Sequence, residues 1–152
     1  MATLLDEFRS ITAALNEAGI EYAVCGGWAM AIHGLPRATM DIDLLVLEDD
    51  VKEIWEIAQG IGYDVEGLPR HFEIEIRRIS KIDRESKKLI TLDLLLVGDN
   101  SRDIWANREK VEWREGTTWV VSKDGLIKMK TIAGRPQDLV DIAKLQEAAD
   151  ES

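Results

Sequence analysis

Asp41-Ile-Asp43-Leu-Leu-Val-Leu47 is the stretch that decides the fold, because it reads as a strand that opens with two acids. Alternate side chains of a strand share a face, so the carboxylates of Asp41 and Asp43 point the same way, roughly 6–7 Å apart. Two ionised carboxylates at that distance repel by roughly 2–3 kcal/mol at an effective dielectric of about 20. A cation is therefore expected between them. Mg²⁺ fits because it takes one or two carboxylates and completes its shell with water and phosphate oxygens.

A glycine pair, Gly26-Gly27, precedes this strand, between a predicted strand at 21–25 and a predicted short helix at 27–33. A turn without Cβ atoms lets backbone N–H groups approach a phosphate at the positive end of a helix. Such a pair is more often only a tight turn, and the G-x-G-x-x-G and G-x-x-x-x-G-K-[ST] patterns are both absent. The acids downstream favour a phosphate site, since a phosphate cradle and a metal site together form one nucleotide–metal centre.

Asp93 is the one charge in the apolar run at 89–97, which is typical of a buried strand. A buried carboxylate without a partner costs several kcal/mol, so Asp93 needs a cation, hydrogen-bond donors or a metal. A structural ion pair and an exposed strand end are the alternatives. With Asp41 and Asp43 in the same chain, a metal is the favoured interpretation.

The composition describes one compact domain over 1–152, with C-terminal helices 124–149 packed on it. The 152 residues include a single cysteine, Cys25, which excludes an internal disulfide. The net charge of −10 opposes a large phosphate-rich partner. The acidic first helix does not read as a signal peptide and no apolar run approaches a membrane span, so we expect a cytoplasmic protein that does not bind membranes.

The segment from Arg70 to Lys88 departs from this acidic composition, because basic side chains dominate it. Its apolar alternation slips at Arg77-Arg78, which predicts a bulge or bend in a strand at 71–82. A hairpin from 71 to 97 would join this strand to the one that carries Asp93. Two alternatives stay equal, a solvated edge protected by charge and a surface that receives a phosphate-bearing acceptor.

The remaining pattern completes a mixed order of elements, which argues for an α+β fold, a mixed-sheet α/β sandwich, and against a regular parallel βαβ series. The other predicted elements are helices 3–18, 50–60, 101–109, 124–133 and 136–149, and strands 42–47 and 118–121. On the last helix, Asp138 and Asp141 are interpreted as members of ordinary surface pairs, and a pairing with Lys130 or Arg135 is the alternative.

These motifs together resemble the DNA polymerase beta-like nucleotidyltransferase superfamily. The likeness is closest to small bacterial members that include antibiotic nucleotidyltransferases and abortive-infection or toxin-type enzymes. It rests on residues 26–43, on Asp93 and on a C-terminal motif at 126–141, and it covers the chain from about residue 20 to about residue 145. The resemblance implies a central mixed sheet flanked by helices. The resemblance is specific for the fold and the type of reaction, but it does not identify the substrate.

The resemblance also implies roles for the acids and glycines. Asp41 and Asp43 would bind two Mg²⁺ ions, with Mn²⁺ as an alternative metal. Asp93 would bind one of these ions and take the proton of the acceptor hydroxyl. Gly26 and Gly27 would hold the β- and γ-phosphates of the NTP. Many members have serine where this chain has Gly27, so backbone donors must do more of that work.

Three further positions match the family's nucleotide-binding residues. Arg37 lies just before the acid pair, where it would reach a phosphate, and Thr39 would fix the same loop. Lys130 matches a C-terminal lysine that would contact a phosphate.

The function implied is a metal-dependent nucleotidyltransferase, which moves NMP from an NTP to an acceptor hydroxyl and releases pyrophosphate. The alternative is a catalytically inactive relative that acts as a binding protein or as a toxin–antitoxin component. The acceptor stays open between a small-molecule antibiotic, a tRNA end and a protein. A chain this short has no second lobe to enclose an acceptor, so the acceptor face is expected to be open or completed by another subunit, in a homodimer or with an antitoxin partner.

Overall fold

The computed structural model describes residues 4–35, 41–71, 74–113 and 116–150. Six α-helices and eight strands occur in these residues. In chain order they are α1 Leu4–Glu17, β1 Ala23–Cys25, α2 Gly26–Ile32, β2 Asp41–Val46, α3 Val51–Gly60, β3 Val65–Glu66, β4 Arg70–His71, β5 Glu75–Ile82, β6 Leu89–Leu96, α4 Arg102–Ala106, β7 Glu109–Trp113, β8 Gly116–Val120, α5 Lys123–Ala133 and α6 Pro136–Asp150. A single 3-10 turn at Glu48–Asp50 leads into α3.

All the described strands join one mixed sheet in the order β3-β5-β6-β2-β1-β8-β7, with β4 beside β5. The β2–β6 and β1–β8 pairs are parallel, and the other neighbouring pairs are antiparallel. Because β2 and β6 are parallel and far apart in the chain, the segments between them must cross over the sheet. This arrangement confirms the predicted α+β fold with a mixed sheet.

The two faces of the central strands differ in chemistry. On β2, Ile42 and Leu44 are fully buried on one face, while Asp41 and Asp43 alternate onto the other. The acids therefore share a face, as the sequence predicts.

Helix α1 covers the apolar face of the sheet. Its residues Phe8 and Leu15 are buried in the core, and the buried Glu7 forms an ion pair with Lys81 of β5. Strand alternation puts Lys81 on the opposite face from Arg78. Helix α1 consequently lies on the side of the sheet away from the acids.

Three predictions about the second half of the chain were wrong. The strand at 71–82 is two antiparallel strands, β4 and β5. The register between β5 and β6 is unbroken from Ile76 to Ile82, so there is no bulge at Arg77-Arg78. The helix predicted at 101–109 ends at Ala106, and β7 follows it.

The apolar alternation slips because Arg78 points to the acids and is neutralised there. The charged β7 is an edge strand, whose side chains need not follow a buried pattern.

None of the helices in the described ranges combines the length and the apolar character that spanning a membrane requires.

Candidate active site

Four polar side chains form a row across the sheet, one from each of four adjacent strands. Cys25 of β1 is the register partner of Asp43 on β2, Asp43 is the partner of Asp93 on β6, and Asp93 is the partner of Arg78 on β5. Register partners on neighbouring strands point to the same face. Asp41 lies on this face as well, two residues before Asp43. The sheet therefore brings the three predicted acids together, and it adds an arginine.

Arg78 and Asp93 form a two-pronged ion pair. The Nε atom of Arg78 donates to Oδ1 of Asp93 at 2.7 Å, and its NH2 group donates to Oδ2 at 2.9 Å. The Asp93 side chain is only 8% exposed, whereas that of Arg78 is 32% exposed. Hydrogen bonding to Asp93 raises the pKa of Arg78. Each oxygen of the Asp93 carboxylate thus accepts one hydrogen bond from Arg78.

Asp43 lies close to two other carboxylates, and the guanidinium of Arg78 offsets only part of their effect on its pKa. Burial, the charges of Asp93 and Asp41, and a hydrogen bond with Asp93 together raise the pKa of Asp43 to about 7, against a smaller lowering by Arg78. Burial and the charge of Asp93 also raise the pKa of Asp41. Among the described residues on this face, three carboxylates lie beside one arginine, and the charges of the acids raise one another's pKa values.

The first residue of the glycine pair, Gly26, lies directly against the carboxylate of Asp43. Its φ is +64°, in the left-handed region that favours glycine, and a Cβ built there would overlap the Asp43 carboxylate. Gly27 is buried behind it in the first turn of α2. The sequence predicts these glycines as a phosphate turn, and the structure gives Gly26 a second reason to lack a side chain.

Replacing Gly26 by alanine is expected to lower the stability of the fold and to displace the carboxylate of Asp43. Positive φ alone costs roughly 1–2 kcal/mol for a residue with a Cβ, and the new methyl group must also push Asp43 aside. Gly19→Ala is the matched control, because Gly19 has φ +72° and no atom within 4 Å of its ideal Cβ. Urea unfolding should show a larger loss of stability for Gly26→Ala than for Gly19→Ala. Equal losses would mean that Asp43 yields to the methyl group without cost.

Lys130 is buried between α5 and α6. Its Nζ atom lies 2.9 Å from Oδ2 of Asp141 and 3.8 Å from Oδ1 of Asp138. Arg135 also donates to Asp138, from Nε at 2.7 Å. Burial raises the pKa of Asp138, but the hydrogen bonds from Arg135 outweigh it and hold that pKa below its usual value.

The interpretation of these two aspartates as surface partners was wrong, since each is 1% exposed. Asp138, Asp141 and the buried Leu145 follow one another at helical spacing on α6, which marks a single inward face. That spacing was the sequence signal for their burial. The charge of Lys130 acts on Cys25, and that of Arg135 on Asp43, so this ionic cluster borders the row of site residues.

Arg78 is the site residue that sequence reasoning missed. The sequence shows Arg78 only as one of several cations in the basic segment. In the structure these cations point to different faces of the sheet and have different partners. Arg77 alternates onto the opposite face and pairs with Glu75 at 2.5 Å, and Lys81 pairs with Glu7. The available signal was a pair of adjacent arginines in one strand of a hairpin, of which one must face the lone acid of the other strand.

The two predicted loop residues, Arg37 and Thr39, lie outside the described residues.

A divalent cation fits the chemistry of the three acids. Among the described residues, no three histidine, cysteine, aspartate or glutamate side chains enclose a metal position as they stand, and both oxygens of Asp93 face Arg78. Asp41 and Asp43 nevertheless supply hard oxygen donors, and burial together with the charge of Asp93 raises the pKa of each carboxyl group. Asp41 and Asp43 would hold the cation, and Asp93 would join them through an oxygen that it now shares with Arg78.

The mixed sheet and its flanking helices define the nucleotidyltransferase class of fold. The family model for aminoglycoside-2''-adenylyltransferase matches residues 7–133, and the chain belongs to this family. Among curated proteins, none matches the sequence significantly.

Solved structures of nucleotidyltransferases share the fold at low sequence identity. A Thermotoga maritima protein assigned as a nucleotidyltransferase has a TM-score of 0.67 at 18% identity, over 97% of this chain and 93% of its own. The antibiotic-resistance factor ANT(2'')-Ia in solution has a TM-score of 0.62 at 16% identity, over 99% and 85% of the two chains. ANT(2'')-Ia in complex with adenylyl-2''-tobramycin has a TM-score of 0.58 at 19% identity, over 95% and 87%.

Proposed function

We propose that this protein is a metal-dependent nucleotidyltransferase that transfers AMP from ATP to a hydroxyl group of an aminoglycoside. The observation that carries the proposal is the convergence of Asp41, Asp43 and Asp93 on one face of two parallel strands, beside a glycine that leaves room for Asp43. Membership of the aminoglycoside-2''-adenylyltransferase family supports the choice of donor and acceptor.

The donor nucleotide would lie against the start of α2. Backbone N–H groups at Gly26 and Gly27 would hold the β- and γ-phosphates, and Arg37 and Thr39 would bind from the loop before β2. Lys130 is already held by two aspartates, so in this proposal it contributes positive charge from behind the site.

Asp93 would prepare the acceptor, and Asp41 and Asp43 would hold the cations that neutralise the transferred group. Divalent cations, when bound, would neutralise the charge on the phosphates and on the attacking and leaving oxygens. Asp41 and Asp43 hold these cations, with Mg²⁺ preferred and Mn²⁺ as the alternative. Asp93 accepts the proton of the acceptor hydroxyl while Arg78 fixes the orientation of its carboxylate.

The reaction is a balanced displacement at phosphorus. The acceptor oxygen forms a bond to the α-phosphorus of ATP as the bond from that phosphorus to the β-phosphate oxygen breaks. The acceptor proton goes to Asp93, and pyrophosphate carries away the bonding electrons. Most of the rate enhancement would come from positioning and charge neutralisation.

Electrostatics favours a cationic acceptor. The chain has a net charge of −10, so its long-range field attracts a polyamine and repels a tRNA. The strand that carries Arg77, Arg78 and Lys81 does not form a basic face, because each of these side chains is paired with an acid. The acceptor must therefore be cationic and must offer a hydroxyl group. An aminoglycoside is a compact polyamine with several hydroxyl groups and meets both requirements.

The direct test is a transfer assay with each labelled NTP in turn, Mg²⁺ and three acceptors: an aminoglycoside with a free 2''-hydroxyl, bulk tRNA and a protein extract. We expect label from ATP on the aminoglycoside, release of pyrophosphate, and loss of both when the metal is removed with EDTA. Label on tRNA or on protein would replace the proposed acceptor. No label on any acceptor with any NTP would contradict the transferase itself.

A further inference from the structure

We propose that Arg78 is a built-in counter-ion of the three-carboxylate site, which competes with the divalent cation for Asp93 and thereby holds down the affinity of the free enzyme for metal. This inference deepens the proposed function and rests on it for the identity of the metal site. Arg78 acts through its contact with Asp93, so it is a positioning residue.

The first support is the geometry of the pair. A cation that binds the acids must share Asp93 with a guanidinium that already donates to both of its oxygens, at 2.7 and 2.9 Å. Bidentate arginine–carboxylate pairs are among the strongest hydrogen-bonded contacts in proteins. Metal binding at Asp93 therefore has to displace or reorient part of this contact.

The second support is the way the sheet holds Arg78 in place. Arg78 is the register partner of Asp93 in the unbroken β5–β6 hairpin. From the other side, the backbone N–H of Gly67 donates to the carbonyl of Arg78 at 2.9 Å. An ideal Cβ at Gly67 would lie 3.1 Å from both Cβ and Cγ of Arg78. The backbone and the stem of Arg78 are thus fixed, and only the guanidinium can yield to a metal.

The third support is the local charge balance. Arg78 is the one cation in contact with Asp93 among the described residues, and its charge also acts on Asp41 and Asp43. A positive charge a few ångströms from the metal position lowers affinity for a divalent ion, even where solvent screens part of it. The triphosphate of a nucleotide would add negative charge to the site and offset this repulsion. The cation would then bind tightly only together with the nucleotide.

The test is Mn²⁺ binding to the nucleotide-free protein, followed by the loss of the free Mn²⁺ signal in electron paramagnetic resonance. Arg78→Met removes the charge and keeps an apolar stem. Arg78→Lys keeps the charge but cannot form a two-pronged pair. Arg77→Met is the matched control, since Arg77 lies on the opposite face of the same strand and pairs with Glu75.

We expect Arg78→Met to bind Mn²⁺ about tenfold more tightly than the wild type, because removal of a nearby unit charge favours a divalent ion by at least that factor. Arg78→Lys should show a smaller gain, and Arg77→Met should stay close to the wild type. In an Asp93→Asn background, the gain from Arg78→Met should largely disappear. A residue with only a structural role would weaken metal binding when lost, so the direction of the change distinguishes the two roles.

Unchanged or weaker Mn²⁺ binding by both Arg78 variants would overturn the inference, as would an equal gain in Arg77→Met or a gain that persists with Asp93→Asn. If Arg78→Met does not fold, Arg78→Lys carries the same test. The result is separate from the transfer assay. A protein that transfers AMP but shows no gain refutes only the role of Arg78, and a gain without transfer to any acceptor refutes only the proposed reaction.

Discussion

Asp43→Asn is expected to lower nucleotidyl transfer by roughly a thousandfold or more, because divalent cations supply several kcal/mol of charge stabilisation in such reactions and about 1.4 kcal/mol corresponds to a factor of ten. The substitution removes a cation ligand at the point where burial and two neighbouring carboxylates concentrate negative charge. It changes little of the shape, since asparagine and aspartate are nearly isosteric. The measurement is the rate of labelled AMP transfer at saturating ATP and Mg²⁺.

Asp103→Asn is the control for this experiment. Asp103 lies on the surface of α4, where it pairs with Lys128 at 2.7 Å, and its loss should leave the transfer rate within a factor of two or so, as expected for an exposed pair. Circular dichroism of both variants establishes that they are folded. An Asp43→Asn protein that keeps a tenth or more of the wild-type rate would show that the cations are held elsewhere.

The acids of the site could be predicted from sequence because each lies in a strongly apolar strand. In such a strand the period of two fixes which side chains share a face, and Asp41 and Asp43 indeed alternate with buried residues. The register that places Asp43 opposite Asp93 could not be predicted in the same way. It depends on the parallel pairing of β2 with β6, which is a long-range contact without a local sequence signal.

Arg78 was missed for a related reason. Its partner is fixed by the β5–β6 hairpin, whose turn length sets which residue meets Asp93. The sequence leaves that length open, because the residues around Ser86 are polar and admit several turns. Once the register is known, the arginine ceases to be part of a basic segment and becomes the partner of a single acid.

The buried aspartates of α6 illustrate the opposite error, in which a local signal was present but was outweighed by a general rule. Charged residues on a terminal helix are usually exposed, and Asp138 and Asp141 were read in that way. Their spacing with Leu145 pointed inward, and the compensating Lys130 and Arg135 lie close by in the sequence. A buried acid requires a partner of opposite charge, and Lys130 and Arg135 supply it for these two aspartates.

The stability of the metal-free protein should fall as the pH rises from about 4 to about 7, relative to Asp43→Asn. The pKa of Asp43 is raised to about 7 in the folded state from its ordinary value of 3.8. Between these values the folded protein holds a proton that the unfolded chain has released, so the free energy of unfolding decreases with pH. Below this window the carboxyl is protonated in both states and carries no penalty. Above it, the folded protein contains an ionised and poorly neutralised carboxylate.

The asparagine variant lacks this penalty at every pH. After allowance for solvent screening of a half-buried group, we expect a difference of roughly 2–3 kcal/mol at pH 8, which corresponds to roughly 5–10 °C in Tm for a chain of this size. The measurement is thermal unfolding of both proteins in EDTA, from pH 4.5 to pH 8. Mg²⁺ added at pH 8 should raise the Tm of the wild type and should have little effect on the variant, since ligand binding stabilises only the protein that binds. A difference in Tm that stays constant across this pH range would mean that the pKa of Asp43 is not raised in the folded protein, and that groups other than Arg78 stabilise its ionised form.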